Sequence, residues 1–364
     1  MKKLINILII AALFLSTGCS KDEGPKAEDH FLNYDIPEVP VTESYTTGAF
    51  YYEVGTFNPN IKENPLAGKY TMVNGVVPPA LMNKHLEYAA KAGLNYLVFS
   101  FRSASRDNNA FRRDSAIIQS YLDVVGEQPV NFALAYNFQS GTYGLSATAP
   151  LENDAVKLEQ FYKDFERVAY LFASPKYMQH SGKRLLYIQN AQNLFSNNNP
   201  AVYTTLRQRL AALGFELYIV GMQDRWTPPA RYVFRYKGCV DAIYHQNFRP
   251  DGYDRFYLLP QMMDQNWKYS KKYFADSLKV DYVPNVFPAY NYLIQTPTSL
   301  NPNITRSDNG EMYKQLCNVA KMNAGNNRLI LIDAFNKWDE DLQIEPAESY
   351  GELYLDITRT QFKK

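Results

Sequence analysis

Two apolar patterns alternate along the chain. The first is a series of short runs rich in β-branched and aromatic residues: GAFYYEV (48–54), LNYLVFSF (94–101), VNFALAY (130–136), RLLYIQN (184–190), ELYIVGM (216–222), VDAIYHQN (240–247), DYVPNVF (281–287) and RLILIDAF (328–335). Most are apolar at successive positions, the signature of parallel strands covered by helices. The second pattern places apolar residues at i, i+3 and i+4. In PALMNKHLEYAAKAG (79–93), Leu81, His85, Leu86, Ala89 and Ala90 share one face and Gly93 can end the helix. Segments 154–173, 203–213 and 310–324 behave alike. Eight strand-then-helix units in order predict an α/β fold, a (β/α)8 TIM barrel, with an open doubly wound sheet as the alternative.

In such a barrel, chemistry sits on the loops after the strands. The residues there are Tyr52 and Glu53; Ser100 and Arg102; Tyr136 and Asn137; Gln189 and Asn190; Gln223, Asp224 and Trp226; Tyr244, His245 and Asn247; Pro288 and Tyr290; and the charged residues Lys337, Asp339, Glu340, Asp341 and Glu345 around Trp338. This rim is polar, aromatic and rich in amides, without a phosphate-cradling glycine loop. It suits a neutral polyhydroxylated ligand, whose apolar C–H faces stack on Tyr and Trp rings. For each aromatic the competing reading is core or rim packing. Arg102 is either a ligand contact or half of an internal salt bridge, and His245 either a substrate contact or a hydrogen-bonded barrel residue. Glu345, just before Pro346, is either a substrate contact or a complement to the N-terminus of the last helix.

The first residues change the picture of the rest. MKKLINILIIAALFLSTGC joins two lysines, an apolar run and small residues leading into Cys19. This is a secretory signal, and it resembles a bacterial lipobox, in which the cysteine becomes the lipidated first residue. The following SKDEG resembles the acidic surface-export signal of Bacteroidetes lipoproteins. The expected organisation is a lipoprotein signal peptide over 1–18, the lipidated Cys19 with a flexible tether over 19–43, and a single barrel domain over 44–364. Localisation follows: outer membrane or cell surface, with the membrane met through the lipid anchor only. Without Lys2 and Lys3, the 38 basic side chains become 36 against 37 acidic ones, a formal charge of −1. With no basic stripe, nucleic acid is not an expected partner. Cys239 and Cys317 and four scattered histidines lack metal-ligand spacing, so neither metal nor cofactor is expected. Aromatic content is 15%, with 29 Tyr; sugar stacking and ordinary packing both account for it.

The last strand and its loop, FNKWDEDLQIEPAESYGELYL, resemble the signature of glycoside hydrolase family 99 (endo-α-mannosidase) and its WbsX-like relatives, which runs approximately F-N-E-W-x-E-G-x-x-I-E-P-x. Phe335, Asn336, Trp338, Glu340, Ile344, Glu345 and Pro346 match it. Upstream, DYVPNVFPAYNY, VDAIYHQNF and YLFASPKYMQHSGKRLLYIQN resemble weaker family segments in the right order. The resemblance implies a barrel that binds α-linked mannosides and, in active members, cleaves them with retention: one carboxylate deprotonates the sugar's 2-hydroxyl and a second, three residues on, protonates the leaving oxygen. The acid/base falls on Glu340. The base falls on Lys337, and a further family glutamate falls near Tyr136 and Asn137, so two of three expected carboxylates are replaced.

A protonated lysine accepts no proton, and lowering its free pKa of about 10.4 far enough needs strong desolvation or a neighbouring cation. Two readings therefore stay open. One is a divergent glycoside hydrolase on α-mannoside-type glycans, with Glu340 as acid/base and a base supplied from elsewhere, such as Glu53, Asp224 or Asp341. The other is a catalytically inactive surface glycan-binding protein on the same barrel. Either would belong with an outer-membrane glycan-uptake complex. A cytoplasmic glycosyltransferase, as suggested for some WbsX-like relatives, conflicts with the expected signal peptide.

Overall fold

The computed structural model describes residues 31–223, 233–246, 258–298 and 303–364. Contacts divide the chain at Asp35, and the unit Ile36–Lys364 contains every strand and helix discussed here. Within it, Val39 is held at both backbone groups: its N–H donates to Asn318 Oδ1 at 2.8 Å and its carbonyl accepts from Lys321 Nζ. The segment from 36, expected as tether, is thus part of the compact unit. No helix among the described residues is long and apolar enough to cross a membrane.

The sheet is built from β1 (Thr46–Tyr51), β2 (Tyr96–Phe101), β3 (Asn131–Asn137), β4 (Lys183–Gln189), β5 (Leu217–Gln223), β6 (Ala242–His245), β7 (Asp281–Tyr282), β8 (Asn285–Val286) and β9 (Leu329–Ile332). These nine pair in parallel, in the order β7-β6-β5-β4-β3-β2-β1-β9-β8, and a two-residue strand, Gln179–His180, joins the sheet antiparallel to β4. The two ends of that order are separated only by Val283 and Pro284, so β7 and β8 are halves of one barrel strand. Proline explains the break, because it has no N–H for the ladder. Val283 N–H still donates to Ile243 O and Pro284 O still accepts from Leu331 N–H, both at 2.9 Å, so the first half is tied to β6 and the second to β9. The eight predicted strands are all present, as a (β/α)8 barrel.

Each strand leads to a helix, among them α1 (Pro79–Lys91), α2 (Asn108–Leu122), α3 (Ala155–Phe172), α4 (Asn199–Ala212), α5 (Leu259–Tyr273), α6 (Glu311–Asn323) and α7 (Leu353–Phe362). Local chemistry sets their ends. Pro79 opens α1, and Gly93 lies just beyond it at φ +71°, a conformation costly for residues with a Cβ. Asp107, Asp154 and Asn198 cap α2, α3 and α4 by accepting from first-turn N–H groups.

Alternation along the strands divides the core in two. Ala49 and Tyr51, Phe132 and Leu134, and Ile330 and Ile332 face the helices. Phe50, Ala133, Ala135, Leu185, Tyr187, Val220, Met222, Ala242, Tyr244, Leu329 and Leu331 fill the barrel. Near the bottom, the hydroxyls of Tyr96 and Tyr187 meet at 2.7 Å. Gly48 makes this possible: a Cβ there would lie 2.2 Å from the Tyr96 ring. Cys239 and Cys317 are both buried free thiols, and burial pushes the Cys239 thiol up to about 12.

Candidate functional site

Continuing the inward parity by one step reaches the C-terminal mouth of the barrel. Phe50 is followed by Tyr52, Ala135 by Asn137, Tyr187 by Gln189, Tyr244 by Gln246 and Leu331 by Asp333. All five successors line a cavity of about 230 Å³, together with Phe50, Gln139, Asn190, Met222, Tyr244, Lys337 and Glu340. The cavity has an aromatic and thioether floor, amide walls, two carboxylates and one ammonium. A neighbouring cavity of about 170 Å³ shares Tyr52 and Asn137 with it and adds Ser100, Arg102, Glu53 and Asp114. Ser100 Oγ donates to Gln189 Oε1 at 3.1 Å, joining the two walls.

Glu340 sits on a single 3-10 turn, Trp338–Glu340, and is 5% exposed. Gln295 Nε2 donates to Glu340 Oε1 at 3.1 Å and to Asp339 Oδ2 at 2.9 Å. Lys337 Nζ donates to both Asp339 oxygens, at 2.9 and 3.2 Å, and lies 4.9 Å from the centre of the Tyr52 ring. The salt-bridge partner of Lys337 is therefore Asp339. Asp341 is held by Arg306, whose Nε donates to Oδ1 at 2.9 Å.

The turn is fixed from behind. Asn336, fully buried, accepts from Tyr52 N–H at 2.8 Å and donates to Tyr52 O at 3.0 Å, tying the loop after β9 to the end of β1. Glu345 is buried to 0% exposure. Its Oε2 accepts from Trp338 Nε1 and from the Tyr70 hydroxyl, each at 2.7 Å, and its Oε1 accepts from His85 Nε2 at 3.0 Å. Tyr51 completes the chain, its hydroxyl 2.8 Å from His85 Nδ1. Burial, then the Glu345 charge, raises the phenols of Tyr51 and Tyr70.

Of the residues singled out from the sequence, Tyr52, Asn137, Asn190, Tyr244, Lys337 and Glu340 come together in the larger cavity. Arg102 lines the smaller one and is also half of an internal salt bridge: its Nε and Nη2 donate to Asp114 at 2.9 and 2.6 Å. Five others are corrected to positions in the walls. Tyr136 and His245 have the wrong parity, each next to an inward residue. The Tyr136 hydroxyl donates to Asp164 Oδ2 at 2.8 Å, between β3 and α3. His245 Nδ1 meets the Tyr282 hydroxyl at 2.8 Å, and burial lowers its imidazole to about 3. Tyr290 is buried and stacks on Tyr292. Trp338 is buried against Phe57 and bonded to Glu345. Glu345 neither reaches the cavity nor caps α7, which begins only at Leu353. Asp224, Trp226, Asn247 and Cys19 lie outside the described residues.

Sequence reasoning passed over Asp333, Gln139, Gln246, Phe50 and Met222. Asp333 had a signal: it is the acid that follows Leu329 and Leu331 at a spacing of two. It is 6% exposed, and Asn285 Nδ2 donates to its Oδ1 at 3.2 Å.

The closed parallel barrel, with a polar cavity at its C-terminal mouth, is that of a glycoside-hydrolase-like protein. A solved structure described as a glycoside hydrolase-like protein is similar at a TM-score of 0.82 and 31% identity, covering 93% of this chain and 99% of that one. A GH99 endo-alpha-mannosidase from Bacteroides thetaiotaomicron, in complex with BIS-TRIS-propane, shares the fold at a TM-score of 0.63 and 18% identity, covering 88% and 97%. A GH113 beta-1,4-mannanase shares it at 0.52 and 7%, covering 88% and 100%. No curated protein matches the chain by sequence. The family model described as glycosyltransferase WbsX matches residues 140–358, and the chain belongs to that family.

Proposed function

We propose that the protein is a glycoside hydrolase acting on α-mannoside-type glycans, with Glu340 as the proton donor to the departing oxygen. The observation that carries this reading is the position of Glu340: a nearly buried carboxylate in a cavity otherwise lined mainly by amides and aromatic rings, with Asp333, Lys337 and Met222. Amides of Asn137, Gln139, Gln189, Asn190 and Gln246 can each donate to and accept from sugar hydroxyls. Phe50, Tyr52 and Tyr244 offer apolar surface for the sugar's C–H groups. The endo-alpha-mannosidase neighbours support α-mannosides as the substrate class. A lipid anchor on Cys19 would hold the protein at the outer membrane or cell surface, where polymeric glycan arrives and where an uptake complex would receive the products.

The test is incubation with α-mannans and other glycans, scoring reducing-end release and binding together, in wild type and Glu340→Gln. Loss of a general acid is expected to lower turnover by roughly 10²–10⁴-fold while binding persists. A variant that turns over like wild type would sink the assignment. One observation favours a second reading, a glycan-binding protein without turnover: the position matching the family's base is Lys337, paired to Asp339. Binding by wild type with no product from any glycan would decide for it.

A further inference from the structure

We propose that Asp333 is the second catalytic carboxylate of the cavity, the acceptor of the proton from the hydroxyl that attacks the anomeric carbon. The inference rests on the hydrolase reading and deepens it. That reading needs an acceptor, and position 337 offers an ammonium in its place. The described acidic residues around the mouth can be taken in turn. Asp339 is bound by Lys337 and Gln295 on the outer side of the turn. Asp341 is bound by Arg306. Glu345 is buried behind the turn with His85, Tyr70 and Trp338. Glu53 belongs to the smaller cavity, against Arg113 at 3.2 Å and Arg102 at 3.8 Å. Among the described residues, the carboxylates lining the larger cavity are Asp333 and Glu340.

Their positions in the fold are complementary. Asp333 ends the inward series of β9, in the deepest polar layer above Tyr244 and Phe50, and its N–H is fixed to Val286 O at 2.9 Å. Glu340 comes from the turn beyond, so the two enter the cavity from different depths. The Asp333 charge also reaches the surrounding phenols: after burial it is the leading cause of the raised pKa of both Tyr52 and Tyr244. Both phenols therefore stay protonated beside it.

The step balances without another reagent. The oxygen of the attacking hydroxyl bonds to the anomeric carbon as the glycosidic C–O bond breaks. The hydroxyl's proton passes to Asp333, and the proton of Glu340 passes to the departing oxygen.

The test uses Asp333→Asn in the full chain, since asparagine keeps an oxygen for the Asn285 bond while removing the charge and basicity of the carboxylate. With wild-type turnover established, Asp333→Asn should lower kcat by about 10²–10⁴-fold, keep glycan binding and the thermal unfolding midpoint, and lose the acidic limb of the pH–rate profile. Azide carries no proton to remove, so adding it to Asp333→Ala should restore turnover and yield a glycosyl azide. Wild-type turnover with Asp333→Asn within about tenfold of it would overturn the role of Asp333 while leaving the hydrolase reading intact. Binding without product in wild type would overturn the hydrolase reading, and the role of Asp333 with it.

Discussion

Glu345 and Lys337 belong to one loop, yet their polar contacts differ in kind. Glu345 is wholly buried and accepts three side-chain hydrogen bonds, from His85, Tyr70 and Trp338. Removing the carboxylate leaves those donors without an acceptor in a place water does not reach, at about 1–3 kcal/mol for each buried group left unsatisfied. Lys337 and Asp339 form a partly exposed pair, at 19% and 43% exposure. Such pairs contribute about 0–1 kcal/mol. Urea unfolding of Glu345→Ala and Lys337→Met is therefore expected to show a large loss for the first and a small one for the second. Equal losses would contradict this division. The identity of Glu345 was legible from the sequence, where it matched a family signature. Its role was not, because its partners His85 and Tyr70 lie far upstream and only the closed barrel brings them together.

At the scale of the strand, one glycine sets how closely two neighbours approach. Gly48 in β1 faces the Tyr96 ring of β2, and a methyl group there has no room. Gly48→Ala should destabilise the fold by about 1–3 kcal/mol through overpacking. Combining it with Tyr96→Leu should recover part of the loss, a coupling that thermal unfolding of the single and double variants would measure. Parity also decides what the sequence reveals of the site. All eight strands were legible, because runs apolar on both faces mark a helix-covered parallel sheet. The strand ends were legible as a rim, but not which residues of that rim turn inward. Asn137 and Tyr244 reach the cavity, while their neighbours Tyr136 and His245 are turned into the helix layer. Counting alternate positions from Leu329 and Leu331 would have led to Asp333. The FNKWDE signature, which begins two residues later, is the stronger local signal.

For the whole molecule, His245 links stability to acid. Burial holds its folded-state pKa near 3, below the ordinary value of 6.5, so the native barrel requires the neutral ring. The stability this contributes is complete above about pH 6.5 and declines as pH falls towards 3. At pH 5 the loss assigned to this residue is about 2 kcal/mol. His245→Phe should accordingly narrow the difference in unfolding free energy between pH 7.5 and pH 5, as read from urea titrations; an unchanged difference would show that the ring does not govern it. The site as a whole was less legible than the fold, because a cavity gathers single residues from most of the strands, each recorded separately in the chain. The buried contacts behind the Trp338–Glu340 turn carry a further consequence. Trp338, Asn336 and Glu345 hold the turn without using the side chain at 337. Residue 337 is thus free to vary chemically while Glu340 keeps its station, so this loop can exchange one of its reactive groups without being rebuilt. A lineage could pass through such an exchange with its cavity intact, and either recruit a new partner for Glu340 from the strand below or settle for holding sugar.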